Sequence, residues 1–453
     1  MVQIILQIAI FIITVLMLVT IHELGHFLVA KRLGIQVLKF SVGFGRPLVR
    51  WRAKNGTEYA IAWIPLGGYV RLLDEREAPV PEAQQPFAFN RQSLVKRSLV
   101  VLAGPGINIV FAILAFWTVW MMGITQTKPV IGEIVPASIA AQSGMRSGET
   151  ITAFDHRLVN NWTQIGLGLV RRLGESGTLV IAAGVPDMWG IHVYNLLLAN
   201  WKVDTLNPDP LKSLGIVPYS PPILPIIDTV TPGTAAEAAG LKPGDKIIRM
   251  DEILIKDWKE ASEIIQMHPQ QSLHLDIIRD GKMLSIIATP ERRLSGLHWV
   301  GFLGVKPKAP VWPENIRQMV KLSPLDAFYR ALGDTWDYTA FHFIVLGKMV
   351  VGKISLSSLG GPISIYQATN RAFREGLVMY IAFLGLISVM LACVNILPIP
   401  GLDGGHLLFF LIEAIIRKPV SVRAQVLFFR IGFILLAVLI FHAMVNDLMR
   451  LMN

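Results

Sequence analysis

Apolar positions along this chain gather into four long runs, roughly residues 4–33, 98–124, 377–397 and 425–446. About 20 apolar residues in a helix cross a bilayer, so each run predicts a membrane span. The stretch between the first two runs is patterned differently. Leu48–Ala53 and Thr57–Ile64 are strand-like and flank Lys54-Asn55-Gly56, a strong hairpin signal. Gly43-Phe44-Gly45 and Gly67-Gly68 allow tight turns on either side. Residues 311–375 are amphipathic. Ser323-Pro324 reads as a helix start, and Phe328, Leu332, Trp336 and Phe341 form a stripe broken by Asp326, Asp334 and Asp337. The 339–352 run is too short to span, and a crossing there would reverse the third long run. These helices are therefore expected to lie on the membrane surface.

Composition sharpens this picture. Of 453 residues, 53% are hydrophobic and 16% charged, and the mean hydropathy is +0.51. Soluble domains carry about 25% charged residues, so a membrane protein with attached soluble domains is expected. The net charge of +10 comes largely from Lys and Arg beside the runs, such as Lys31, Arg32, Lys96 and Arg97, or Arg417, Lys418 and Arg423. That placement fixes orientation and gives no reason to expect nucleic acid as a partner. Both connections are expected in the cytoplasm, with both termini and the long 125–376 region outside. The one cysteine, Cys393, excludes an intrachain disulfide and Cys-rich zinc sites, and packing is its expected role. The chain opens without a charged n-region or small-residue cleavage site, so the first run reads as a retained span.

Residues 125–310 contain an internal repeat at an offset of 96 residues. Pro136, Ala140, Gly144, Gly148, Ile151, Asp155 and Trp162 recur as Pro232, Ala236, Gly240, Gly244, Ile247, Asp251 and Trp258. Each copy predicts a short helix, a Gly-terminated turn and a strand. The signature resembles the PDZ domains of bacterial envelope proteases, which bind chain ends or strands at a sheet edge. The first copy contains a less regular stretch, Val185–Asn207, that reads as an insertion.

The candidate chemistry lies inside the first run, at His22-Glu23-Leu24-Gly25-His26. HExxH on a helix places two imidazoles one turn apart on one face, fit to grip Zn²⁺, with Glu23 between them as general base toward water. An ionisable cluster in a bilayer is by default functional. Catalytic zinc usually takes three protein ligands. The best third candidate is Asp403, in Asn395-Ile396-Leu397-Pro398-Ile399-Pro400-Gly401-Leu402-Asp403-Gly404-Gly405-His406. Its prolines and glycines break the apolar run, which is tolerated at membrane depth only where backbone lines protein or a cavity. His406 is the alternative ligand. Glu413 reads as a solvated or interfacial charge, and His342 and His442 fall on the opposite side. Ala103-Gly104-Pro105-Gly106-Ile107-Asn108 suggests close helix packing, with Asn108 in need of a hydrogen-bond partner.

HExxH in the first span, Asn-x-x-Pro-x-Pro-x-Leu-Asp-Gly, Gly104-Pro-x-x-Asn108, Leu359–Ile365 and the paired repeats together resemble the site-2 protease family of intramembrane metalloproteases. The resemblance covers essentially the whole chain. It implies that His22, His26 and Asp403 bind zinc, that Glu23 is the catalytic base and that Asn395 holds substrate backbone. The hairpin region, with Gly43, Phe44, Tyr59 and Ile61, is implied to present substrate as an added strand. The implied activity is cleavage of single-pass proteins of the bacterial inner membrane within their transmembrane segments. An anti-sigma factor of the envelope stress response and remnant signal peptides are the implied substrates, with the PDZ pair as a size filter. A zinc carrier or a non-enzymatic membrane scaffold are the rival classes. A carrier would need several intramembrane carboxylates along a path, and few are present.

The expected architecture is a polytopic α-helical membrane protein of four spans with a membrane-associated β-hairpin and two tandem periplasmic PDZ domains. In chain order it comprises the first span with HExxH (1–34), the cytoplasmic hairpin region (35–97), the second span (98–124) and PDZ units (125–221 and 222–310). Interfacial helices (311–376), a third span with the broken-helix motif (377–416), and the fourth span and C-terminus (417–453) complete it.

Overall fold

The computed structural model describes residues 2–54, 56–185, 190–199, 201, 203, 209–295, 298–358 and 360–452. Four of its helices are long and apolar enough to cross a membrane: Ile4–Arg32, Leu94–Met122, Leu377–Ile396 and Val422–Arg450. They fall on the four apolar runs, the second beginning earlier because Ser93 caps it by accepting from the Lys96 amide.

Helix α1 (Val2–Arg32) leads into strands β1 (Val37–Arg52) and β2 (Glu58–Leu72), then α2 (Leu94–Met122). The two strands are longer than the predicted hairpin, and each folds back within itself. Segment 39–42 is flanked on both sides. Against 68–71 its partner numbers fall, and against 58–61 they rise; 47–52 then pairs with 58–62. The order is therefore 47–52, 58–62, 39–42, 68–72, and among the described residues no strand covers the outer side of 68–72. Gly43, at φ 89°, makes the fold-back possible. A β-carbon there would stand 2.9 Å from Ala62 O, so only glycine fits. Asn55, in the predicted turn, lies outside the described residues.

Two similar units follow the strand β3 (Ile124–Thr127). The first contains β4 (Ile131–Ile134), α3 (Ile139–Gln142), β5 (Thr150–Phe154), β6 (Arg157–Leu158), α4 (Trp162–Arg172), β7 (Gly177–Gly184), β8 (Ile191–Leu198), α5 (Pro210–Leu214) and β9 (Ile216–Pro218). The second contains β10 (Ile227–Val230), α6 (Ala235–Ala238), β11 (Lys246–Met250), β12 (Ile253–Leu254), α7 (Trp258–Met267), β13 (Leu273–Arg279) and β14 (Lys282–Ala288). It closes with an added hairpin, β15 (Glu291–Ser295) and β16 (His298–Phe302), and with β17 (Val305–Pro307). The sheets run β6-β5-β7-β8 and β12-β11-β13-β14, with side pairs β4–β9 and β10–β17.

The sequence repeat recurs in the backbone. Gly144 and Gly240 hold φ 81° and 78°, Gly148 and Gly244 86° and 94°, Asp155 and Asp251 48° and 51°. The stretch expected as an insertion is partly a regular strand. β8 is the counterpart of β14, and it buries Tyr194, Leu196 and Leu198 in alternation. Residues 186–189, 200, 202 and 204–207 of that stretch lie outside the described residues. Each unit also buries one acid at the same repeat position. Glu149 accepts from the Tyr194 hydroxyl at 2.7 Å, and burial together with that carboxylate pushes the hydroxyl up to about 12. Asp245 is instead gripped by the Arg279 guanidinium through two 2.7 Å bonds.

Strand β18 (Arg317–Val320) returns antiparallel to β3, with Arg317 opposite Thr127 and Val320 opposite Ile124. Helix α8 (Pro324–Val350) starts as expected, Ser323 capping it and Pro324 in its first turn. It packs Ala327, Ala331 and Thr335 inward, and its Asp334 accepts from Trp120 Nε1 of α2 at 2.8 Å. Near its end, Lys348 Nζ donates to the Arg171 and Leu173 carbonyls and to Glu175, docking α8 on the first unit. Helices α9 (Pro362–Arg374), α10 (Leu377–Ile396), α11 (Asp403–Ile416) and α12 (Val422–Met452) complete the chain. Asp447 of α12 accepts from the Ile363 and Ser364 amides at the start of α9. Leu359, first residue of one predicted motif, lies outside the described residues.

Candidate metal centre

His22 and His26 occupy one face of α1, with Nε2 atoms 3.3 Å apart. Two glycines let α2 lie directly over them. A β-carbon on Gly25 would stand 2.2 Å from Ala103 O, and one on Gly104 2.3 Å from His26 Nε2. The close packing expected of the Gly104–Asn108 motif is thus a contact with the histidines themselves. The Nδ1 atoms face α2: that of His26 lies 2.8 Å from Val100 O and that of His22 3.1 Å from the Asn108 amide.

The third group arrives through the helix break. α10 stops at Ile396 because Pro398 and Pro400 cannot continue its hydrogen bonds. Gly401 turns at φ 93° and α11 begins at Asp403. Gly404 and Gly405 seat the new helix tightly on the break, since β-carbons there would meet Leu397 O at 2.1 Å and Ile399 O at 2.6 Å. Asp403 Oδ2 is thereby brought 3.1 Å from His22 Nε2 and 3.4 Å from His26 Nε2. Ligand atoms of the three residues all lie within 4.8 Å of one another.

The set fits a zinc ion. Asp403 Oδ2 is buried and faces only the two Nε2 atoms that would themselves be ligands, so a cation shared by all three satisfies it. Two imidazoles and one carboxylate are a common catalytic zinc set. His406 is not in this group; its ring packs 5.0 Å from that of Phe429, centroid to centroid.

A cavity of about 870 Å³ opens on the group, lined by Glu23, Phe44, Gly67, Gly68, Tyr69 and Asn395 among others. Glu23 lies against the free 68–72 edge, its Cγ 3.3 Å from where a β-carbon on Gly68 would stand and its carboxylate near the Val70 amide. The residues expected to meet substrate separate here. Phe44 and Asn395 line the cavity, whereas Gly43, Tyr59 and Ile61 do not. Tyr59 and Ile61 belong to the interior segment 58–62, paired on both sides, so no strand can be added there. Tyr59 instead stacks on Trp51 and packs against Phe27 of α1. The edge beside Glu23 was marked in the sequence only by Gly67-Gly68.

Glu413 also departs from expectation. It accepts from Arg97 Nη2 at 2.6 Å, joining α11 to α2 at the cavity wall. Arg97 is 7% exposed, which makes this an interior ion pair and not a solvated charge.

A model of peptidase family M50 matches residues 10–439. The chain belongs to this family. M50 peptidases depend on zinc, and this chain is a zinc metalloprotease of the site-2 type. Its similarity to several bacterial relatives runs end to end. It is 40% identical to the regulator of sigma-E protease RseP of Escherichia coli, over 98% of this chain and 99% of that one. It is 40% identical to protease RseP of Yersinia pestis over all of both chains. A putative zinc metalloprotease of Vibrio cholerae is 38% identical, over 97% of this chain and 98% of its own length.

Proposed function

We propose that this M50 peptidase hydrolyses peptide bonds within the transmembrane segments of single-pass proteins of the bacterial inner membrane. The observation that carries the reading is the convergence of His22, His26 and Asp403 within 4.8 Å, at a break between membrane helices and beside a free strand edge. His22, His26 and Asp403 hold zinc, which when bound supplies Lewis acidity toward water and the scissile carbonyl. Glu23, anchored by the Val70 amide, takes a proton from water and returns it to the leaving amine. Substrate enters extended, because the carbonyls of a helix are already hydrogen-bonded. Adding it along 68–72 offsets part of the cost of unwinding. Phe44 and Asn395 flank that path.

The names of the RseP relatives support an anti-sigma factor as substrate, regulating a sigma-E response. Remnant signal peptides are a second substrate class. The two outer units are PDZ domains facing the periplasm, as are both termini. They filter substrates by size, and the basic connections lie in the cytoplasm near the metal site.

The test uses full-length protein in detergent with a labelled single-span substrate and mass mapping of the cut. Glu23→Gln should abolish cleavage while retaining zinc, and zinc chelation should abolish it reversibly. Full activity in the Gln variant would remove the base assignment. Cleavage confined to loops outside the span would remove the intramembrane reading.

A further inference from the structure

We propose that Asn108 is a positioning residue for the metal site: its side-chain oxygen accepts a hydrogen bond from His22 Nδ1 and so fixes the tautomer that leaves Nε2 free to bind. The inference rests on the reading that His22, His26 and Asp403 hold zinc.

An imidazole that binds a metal through Nε2 carries its proton on Nδ1, and that proton needs an acceptor. For His26 the acceptor is evident, since Val100 O lies 2.8 Å from Nδ1. For His22 the group at Nδ1 is the Asn108 amide, 3.1 Å away and 0% exposed. Val100 and Asn108 lie eight residues apart on α2, about two helical turns. They therefore face the histidine pair together.

The amide can meet the ring in two ways, related by a half-turn of its plane. With nitrogen first, Asn108 donates to Nδ1, the ring proton must sit on Nε2 facing Asp403, and Oδ1 is buried without a donor. With oxygen first, Nδ1–H has its acceptor and Nε2 is bare. Only the second arrangement makes His22 a ligand. The main chain of Asn108 is held independently, because Ser388 Oγ of α10 donates to its carbonyl at 2.9 Å. The side chain is thus not needed to fasten α2 to α10.

The test is chelator competition for zinc on full-length protein in detergent, with the visible spectrum of the cobalt-loaded protein as second readout. Asn108→Leu keeps the volume and removes the acceptor. It should lower zinc affinity on the order of 10- to 100-fold and alter the cobalt spectrum. Asn108→Asp restores an acceptor and should bind within about threefold of the parent. Ser388→Ala, which loosens the same residue without touching His22, should leave affinity unchanged. Parental affinity in Asn108→Leu, or a loss in Asn108→Asp as deep as in Asn108→Leu, would overturn the proposal. Asp403→Ala separates the two readings. If it keeps parental affinity, the zinc site itself is misassigned; if it loses zinc while Asn108→Leu does not, only the role of Asn108 fails.

Discussion

Gly104 of α2 lies against His26 of α1 so closely that a β-carbon on it would stand 2.3 Å from the ring Nε2. The helix crossing and the metal site are therefore one piece of geometry. Gly104→Ala should displace both rings, since the same β-carbon would meet His22 Cε1 at 2.7 Å. Zinc retention should fall on the order of tenfold or more, read by metal analysis after dialysis. Gly106→Ala, two residues on with nothing within 4 Å of its β-carbon, should bind zinc normally.

The Val70 amide ties Glu23 to the free strand. Val70→Pro removes that donor, and proline is sterically acceptable on an edge strand. Turnover should drop on the order of tenfold or more, the range for misplaced proton-transfer groups, while bound zinc is unchanged. Loss of zinc along with turnover would show that the sheet supports the metal site as well as the base.

In the second repeat unit, burial alone would push the Asp245 carboxyl up. The Arg279 guanidinium and the Lys242 amide outweigh it and hold the carboxyl below its ordinary value. Stability from this pair is full above the ordinary carboxylate range, about pH 4, and is lost as pH falls through the lowered folded-state value. Asp245→Asn should cost this unit about 2 kcal/mol near neutrality and flatten its acid sensitivity. Hydrogen exchange across 246–279 as a function of pH reads both effects.

Lys348 bonds to two carbonyls and a carboxylate on the first unit from the end of α8. Lys348→Met should free that contact at a local cost of about 1–3 kcal/mol. Amide exchange around 171–175 should rise, while the second unit stays unaffected. Unchanged exchange there would mean that Arg171–Asp337, at 3.6 Å, holds the contact by itself.

Much of this was readable from residue order. Span limits followed from apolar length, the repeat from glycines and other residues recurring at an offset of 96, and the start of α8 from Ser323-Pro324. The grouping of His22 and His26 with Asp403 was legible because HExxH fixes helical spacing and the prolines fix a break. The sheet between the spans was legible only in part: the expected hairpin is there, 47–52 against 58–62, but the two further segments were not. Its segments fold back within single strands at Gly43 and Gly45, and one interior contact runs in the rising register, which no local hairpin signal encodes. That is why the sequence pointed to Tyr59 and Ile61, which lie in the interior segment, and not to Gly67–Leu72 at the free edge. Arg97 and Glu413 lie more than 300 residues apart, so pattern alone read Glu413 as a solvated or interfacial charge and Arg97 as one of the basic residues that set orientation. Asn108 was recognised as needing a partner, but only the crossing at Gly25 and Gly104 reveals that the partner is His22.

The ribbon of β3 and β18 carries a consequence for how such a chain can change. Ile124 and Val320 stand side by side, so the stretch between them leaves and returns at one paired stem, with the Lys348 contacts on the first unit as a second tether. With the stem paired and the Lys348 contacts kept, that stretch can be shortened, duplicated or exchanged while α1 and α2 still meet at Gly25 and Gly104. The two units and the metal-site helices can thus evolve on separate clocks within one polypeptide.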